Sequence, residues 1–147
     1  MSTAAVPKNA NADRVRAEWL SRLAELVELV QAWSQEFGWA TRRIEKRLQE
    51  SQLGTYQAPA LLMQKEFARV LLEPIARFAP GVEGVVDLYL MPAYDDIASL
   101  SFHDGVWRVH SWPRGERVLS VDPESNPVPL SKESLRAILD EMSNHAS

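Results

Sequence analysis

Residues Ile97–Trp112, IASLSFHDGVWRVHSW, predict a two-stranded antiparallel hairpin that turns at Asp104-Gly105. A two-residue type I′ turn needs a positive φ at both central positions, and Asp and Gly tolerate that conformation. The turn fixes which residues of the two strands face each other. The predicted pairs are His103 with Val106, Phe102 with Trp107, Ser101 with Arg108, Leu100 with Val109, Ser99 with His110, and Ala98 with Ser111.

Side chains alternate along a strand, so this hairpin has two different faces. The face expected to contact the core carries Ala98, Leu100, Phe102, Trp107 and Val109. The opposite face is polar and carries Ser99, Ser101, Arg108 and His110. The hairpin therefore predicts a sheet with one buried face and one face open to solvent or to a ligand.

Residues 13–37 predict a long amphipathic helix, with Asp13 suited to cap its start and Gly38 suited to end it. The apolar stripe consists of Trp19, Leu23, Leu26, Val30, Trp33 and Phe37. A stripe of this kind typically packs on a sheet of its own domain. The heptad-like spacing leaves a seam for a partner helix as the alternative, but the run is short for a coiled coil.

Residues 39–50, WATRRIEKRLQE, form a strongly charged segment that is either an edge strand or a short helix. Its basic cluster consists of Arg42, Arg43, Lys46 and Arg47. This cluster is a candidate contact for an anion or a phosphate. In the alternative interpretation the charges belong to a solvated edge strand, where Lys and Arg discourage aggregation. Glu45 and Glu50 partly neutralise the cluster, which favours the second interpretation.

Residues 58–78 allow two structures. Single-residue propensity in ALLMQKEFARVLL favours a helix, but Pro74 would lie inside it. We therefore predict two strands, roughly 58–64 and 67–78, with Pro74 on an edge or at a bulge.

The rest of the chain completes an alternation of strands and helices. Residues 84–91, GVVDLYLM, predict a strand, and residues 116–121 predict a last one. A C-terminal helix over residues 131–143 begins at a capping serine, with Leu130 and Leu135 placed to form a hydrophobic staple.

These elements predict an α+β fold with a long N-terminal helix, an antiparallel β-meander of about five to six strands and a C-terminal helix. Its 147 residues suggest one domain over residues 13–143, with a disordered leader at 1–12 and a frayed tail at 144–147. The order of elements is similar to that of small acidic chaperones of bacterial secretion. This likeness is one of architecture alone, which transfers neither a residue nor a function.

Composition excludes several classes of site. The chain has no cysteines, which excludes disulfides, thiolate metal sites and cysteine nucleophiles. A net charge of −4 argues against a nucleic-acid partner. No stretch approaches the ~20 apolar residues of a membrane span, and the N-terminus lacks the apolar core of a signal peptide. No membrane association and no cofactor are therefore predicted, and the cytoplasm is the expected location.

The histidines and serines do not form a recognisable catalytic or metal site. His103 and His110 project from one face of the hairpin at a separation of about 13 Å, too far to share a metal ion. His110 neighbours Ser99 and Ser101, but an orienting carboxylate and an oxyanion hole are missing. No catalytic residue and no metal ligand are predicted.

Asp87 interrupts an apolar strand, and a buried carboxylate needs a partner. Arg108 is the predicted partner, in a structural ion pair or, alternatively, in a functional one. The candidate ligand-binding residues are Asp87, Ser99, Ser101, Arg108 and His110. Trp39 and Trp112 each lie beside a turn residue and are candidate anchors for a protein partner. Alternatively, tryptophans at the rim of a sheet cover the end of the core.

Two functional hypotheses follow. The first is a cytoplasmic, non-enzymatic protein-binding or accessory module that acts on a protein partner or associates with itself as a homodimer. The alternative is a small-ligand-binding protein or an enzyme that uses the polar face of the sheet.

Overall fold

The structure is a computed structural model and describes residues 5–111 and 127–145 of the chain. The elements in chain order are α1 (Ala5–Glu36), β1 (Ala40–Glu50), β2 (Gly54–Lys65), β3 (Ala68–Ala76), β4 (Val85–Met91), β5 (Asp95–His103), β6 (Val106–Ser111), β7 (Val128–Pro129) and α2 (Lys132–His145). The predicted α+β class is confirmed, with seven strands in the described part instead of five or six. The strand predicted over residues 116–121 lies outside the described residues.

The strands form one antiparallel meander in which each strand pairs with its neighbours in sequence, from β1 at one edge to β7 at the other. The hairpin of β5 and β6 has the predicted register at all six residue pairs. Its turn residues Asp104 and Gly105 have φ values of 53° and 78°, as a type I′ turn requires. The Asp-Gly signal therefore predicted the register of this hairpin correctly.

The two faces of the sheet differ as predicted. Both helices pack on the apolar face, and its buried side chains include Met63, Val70, Leu72, Leu88, Ala98, Leu100 and Val109. The outer face carries the polar side chains of Asp87, Ser99, Ser101, Arg108 and His110. These outer side chains are all half-buried, so the face is a packed surface rather than a fully hydrated one.

Helix α1 begins at Ala5, eight residues before the predicted start at Asp13, and so includes part of the predicted leader. The alanines of this segment favour a helix, and Pro7 lies in the first turn, where its missing N–H costs little. The helix ends as predicted at Gly38, which has a φ of 94°. The N–H of Trp39 donates to the carbonyl of Ser34 at 2.9 Å, which closes a Schellman turn and directs β1 back along the helix.

Two prolines determine where β2 and β3 separate. The predicted strands of this region are confirmed, but pairing of β2 with β3 ends at Leu61 and Leu72. Pro59 and Pro74 occupy the position where the next hydrogen-bonded pair would lie, and neither has an N–H to donate. The register of β3 with β4 also shifts just after Pro74, which confirms the predicted bulge. As a result, the half of the β1–β2 hairpin that contains its turn does not pair with β3, and we call it the far or released half.

The C-terminal helix begins with reciprocal side-chain caps. The backbone N–H of Ser134 donates to Oγ of Ser131 at 3.0 Å, and the N–H of Ser131 donates to Oγ of Ser134 at 2.8 Å. Leu135 is fully buried and Leu130 packs against the same core. The predicted serine cap is confirmed, and the leucines occupy the positions of the predicted staple.

A buried hydrogen-bonded chain joins α1 to the released half of the hairpin. Nε1 of Trp19 donates to the hydroxyl of Tyr56 at 3.0 Å, and that hydroxyl donates to the carboxylate of Glu50. The same carboxylate accepts from the backbone N–H of Arg77 at 3.1 Å and from that of Phe78 at 3.2 Å. This network ties both ends of the β1–β2 turn to the helix and to the end of β3.

We expect Tyr56→Phe to lower the free energy of unfolding by about 1–3 kcal/mol, because Trp19 and Glu50 lose their shared partner. Burial and the bond to Glu50 raise the pKa of Tyr56. The protonated hydroxyl of Tyr56 contributes its full share of the stability below the ordinary tyrosine pKa of about 10. This contribution is lost as pH rises through the raised pKa of the folded protein. Urea unfolding should show the two proteins converging in stability above about pH 10; a constant difference up to about pH 11 would contradict the linkage.

Gly84, the residue before β4, lies in close contact with α1. A Cβ at this position would overlap the six-membered ring of Trp19, which is fully buried. We expect Gly84→Ala to destabilise the fold by about 1–3 kcal/mol through overpacking. In a Trp19→Phe background, where that ring is gone, the same change should cost less in urea unfolding. An equal cost in both backgrounds would refute the contact as the cause.

Candidate functional site

The polar outer face contains two hydrogen-bonded pairs on adjacent strands. Oγ of Ser99 donates to the carboxylate of Asp87 at 2.8 Å, and the hydroxyl of Tyr89 lies 3.2 Å from the same carboxylate. Oγ of Ser101 and Nε2 of His110 are 3.3 Å apart. The structure therefore brings four of the five predicted ligand-binding residues into one polar strip across β4, β5 and β6.

The strip resembles a nucleophile and base only in part. Burial lowers the pKa of His110, which favours the neutral imidazole that a general base needs. Ser101, however, lies inside β5, which pairs with β4 on one side and with β6 on the other. The neighbouring backbone N–H groups are engaged in the ladder, so none is available to stabilise an oxyanion. This geometry favours cross-strand packing over catalysis.

Arg108 lies on the same face, but its described hydrogen bond is made elsewhere. Nη1 of Arg108 donates to the carbonyl of His103 at 2.9 Å, which fastens the guanidinium near the β5–β6 turn. Its ion pair with Asp87 stays a prediction.

The basic segment of β1 is an edge strand, and its alternation divides the predicted anion cluster. Arg42 and Lys46 lie on one side of the strand, whereas Arg43 and Arg47 lie on the other. Nζ of Lys46 is 2.9 Å from the carboxylate of Glu73 on β3. Nε of Arg43 donates to the side chain of Gln31 at 2.7 Å. One small anion is therefore not surrounded by all four charges.

Among the residues that the structure describes, no strand pairs with the outer side of β1, so this edge also presents unpaired backbone groups. The two-residue turn pairs Lys65 with Ala68, and the residues that flank such a turn bond to each other. The backbone groups of the odd-numbered residues of β2 therefore point toward β3, and those of the even-numbered residues point toward β1. The register pairs these even-numbered residues with the even-numbered residues of β1. The N–H and C=O groups that point away from the sheet belong to Thr41, Arg43, Glu45, Arg47 and Gln49. The sequence predicted an edge strand here, but not which backbone groups point outward, because that follows from the register and not from the side chains.

The two candidate tryptophan anchors lie in different situations. Trp39 is only 2% exposed and packs in the core, because the Schellman turn directs it inward. Its Nε1 has no hydrogen-bond partner among the described residues. A partner could not contact Trp39 without local opening of the fold. Trp112 lies outside the described residues.

Three titratable side chains meet at the tip of the β5–β6 hairpin. One potential ligand atom from each of Glu83, His103 and Asp104 lies within 4.8 Å of the others. The two ring nitrogens of His103 face different carboxylates, at 3.8 Å from Glu83 and 3.3 Å from Asp104. All three side chains are partly or fully exposed, and exposed acidic groups of this kind are common without a metal ion, so the cluster carries no metal-site proposal.

A groove of about 450 Å³ lies between α1 and the same hairpin. The guanidinium of Arg22 lies 4.0 Å from the centroid of the Phe102 ring. Burial, together with the charge of Arg77, lowers the pKa of Arg22. Glu18 and Glu25 flank the arginine along the helix. The charges alternate in sign, so the groove shows no preference for one class of ligand.

No family model, no curated protein and no solved structure matches this chain. Among the described residues, neither helix is long and apolar enough to cross a membrane.

We expect Asp87→Asn to lower the free energy of unfolding by about 1 kcal/mol, because the charge-assisted bond from Ser99 is weakened. Ser99→Ala should have a similar effect, and the double variant should cost less than the sum, since both changes remove one interaction. Arg108→Ala should also be destabilising if the predicted pair with Asp87 forms. Chemical unfolding measures all four variants. Unchanged stability together with loss of a binding activity would instead assign these residues to a ligand site.

Proposed function

We propose that this protein is a cytoplasmic, non-enzymatic protein-binding module that adds an extended segment of its partner to the free edge of β1. The observation that carries the proposal is the outward row of backbone groups on Thr41, Arg43, Glu45, Arg47 and Gln49. An extended peptide that adds to a sheet edge gains affinity from main-chain hydrogen bonds and specificity from alternate side chains. The cysteine-free composition is in keeping with the proposed location.

The edge is held in place before a partner arrives. Nε2 of Gln31 on α1 donates to the hydroxyl of Thr41 at 2.8 Å, and Lys46 is paired with Glu73. The far end of the hairpin is fixed by the bonds of Glu50 and Tyr56. A binding edge that is already ordered loses little conformational entropy when it binds.

The opposite edge of the sheet is a poorer acceptor. Strand β7 has only two residues, and Pro129 has no N–H to offer. Its chain then continues directly into the cap of α2 at Ser131. Of the two described edges, β1 is therefore the one with the length to accept a strand.

The alternative function is binding of a small ligand, or catalysis, on the outer face. It is supported by the contact of Ser101 with His110 and by the lowered pKa of that histidine. The same residues are explained by packing between adjacent strands, which needs no ligand. We therefore place this alternative second.

Selection of nine-residue random peptides by phage display on the whole protein tests the proposal. The peptides that are enriched are then measured against Glu45→Ala and Glu45→Pro. Both variants remove the same charge, but only proline removes the outward N–H at the middle of the edge. We expect enriched peptides to bind the alanine variant as they bind the wild type, and to bind the proline variant at least about tenfold more weakly.

Equal binding to the alanine and proline variants would overturn the proposal. Peptides that instead shift the NMR signals of Ser101 and His110 would overturn it in favour of the outer face. Circular dichroism of the proline variant establishes that it is folded. Light scattering over a concentration series tests self-association. A dimer that is lost in Glu45→Pro but kept in Glu45→Ala would identify a second copy as the occupant of the edge.

A further inference from the structure

We infer that the segment accepted by β1 is acidic and carries carboxylates in the extended pattern Glu-x-x-x-Glu-Glu; this inference rests on the proposed strand addition. It names the chemistry of the partner, which the free edge alone does not.

The edge is basic in a chain that is acidic overall. Strand β1 has four basic side chains and two acidic ones, while the whole chain has a net charge of −4. One of the two acids, Glu50, already accepts bonds from Tyr56 and from backbone N–H groups at the end of β3. The positive charge of the edge is therefore less neutralised than the sequence suggests.

The basic side chains of β1 differ in whether they already contact another side chain. Lys46 is paired with Glu73, and Arg43 contacts the uncharged side chain of Gln31. Arg42 and Arg47 are exposed and form no ion pair with a described residue. Three guanidinium groups at the edge therefore have no carboxylate partner in the described structure, and an added strand can supply one to each.

The alternation of β1 fixes where those carboxylates must lie. Every neighbouring pair of strands in the sheet is antiparallel, and an added strand is expected to follow the same pattern. Residues directly opposite each other on adjacent strands have their Cβ atoms about 4.5–5.5 Å apart, within reach of a Glu–Arg pair. Carboxylates opposite Arg47, Arg43 and Arg42 then fall at the first, fifth and sixth positions of the partner segment.

A second copy of this chain does not meet these requirements through its own edge. Two β1 strands would bring two net-positive strands side by side, and like charges opposite each other destabilise a sheet. The partner is therefore a different protein segment with the complementary sign.

Three synthetic peptides with blocked ends test the inference: VETTVEET, its glutamine counterpart VQTTVQQT and its lysine counterpart VKTTVKKT. Each is titrated against the whole protein by fluorescence anisotropy at low and high salt. We expect the acidic peptide to bind roughly tenfold more tightly than the glutamine peptide, with the difference shrinking at high salt. The lysine peptide should bind most weakly.

Variants of the protein locate the effect. Arg42→Gln combined with Arg47→Gln should remove most of the advantage of the acidic peptide over the glutamine peptide, because only Arg43 keeps a carboxylate opposite it. Arg14→Gln on α1 removes one exposed arginine away from the edge and should change nothing. Glu45→Pro should weaken the acidic peptide and Glu45→Ala should not, which separates strand addition from general attraction between opposite charges.

The outcomes separate this inference from the proposed function. Equal binding of the acidic and glutamine peptides would overturn the inference and leave strand addition standing. Tighter binding of the acidic peptide that survives Glu45→Pro would overturn strand addition and indicate attraction without pairing. If none of the three peptides binds, the inferred pattern is wrong, and the peptides enriched by display then decide the proposed function independently.

Discussion

The architecture depends on the contacts of one buried side chain, that of Trp19. Its ring lies against Gly84 at the start of β4, faces Trp107 of β6 at 6.4 Å between centroids, and donates to Tyr56 of β2. These contacts come from three parts of a sheet whose ends are far apart in sequence. The ring therefore fixes the position of α1 against β2, β6 and the residue before β4 at once.

The geometry of the β1 edge follows from that constraint together with two prolines. Pro59 and Pro74 end the pairing of β2 with β3, so the far half of the hairpin is no longer held by the sheet. The bonds from Trp19 through Tyr56 to Glu50 hold it instead. The hairpin is thus held on its β2 side by these bonds, and no strand in the described part of the chain pairs with the outer side of β1.

Local signals predicted much of the fold, because each depends on neighbouring residues alone. The Asp-Gly turn determined the β5–β6 register, Gly38 ended α1, and Ser131 capped α2. Contacts between distant residues were not predictable from the sequence. The sequence places Glu50 among the charges that partly neutralise the basic cluster, but it does not show that this carboxylate accepts from the backbone N–H of Arg77. The position of Trp39 beside a turn does not distinguish a partner anchor from a side chain that covers the core, and the direction of that turn places it in the core.

The candidate site shows the same limit. Four basic residues within a short segment suggest one anion site, but strand alternation divides them and neighbouring elements engage two of them. The outward backbone groups of β1 are suited to pair with an added strand, and its basic side chains limit which strand can pair. Like charges opposite each other disfavour pairing of two such edges, and basic side chains on an edge strand are a common protection against edge-to-edge aggregation. In the proposed function the same charges attract a strand of opposite sign, so one distribution of charge would both disfavour pairing of two copies and select an acidic partner.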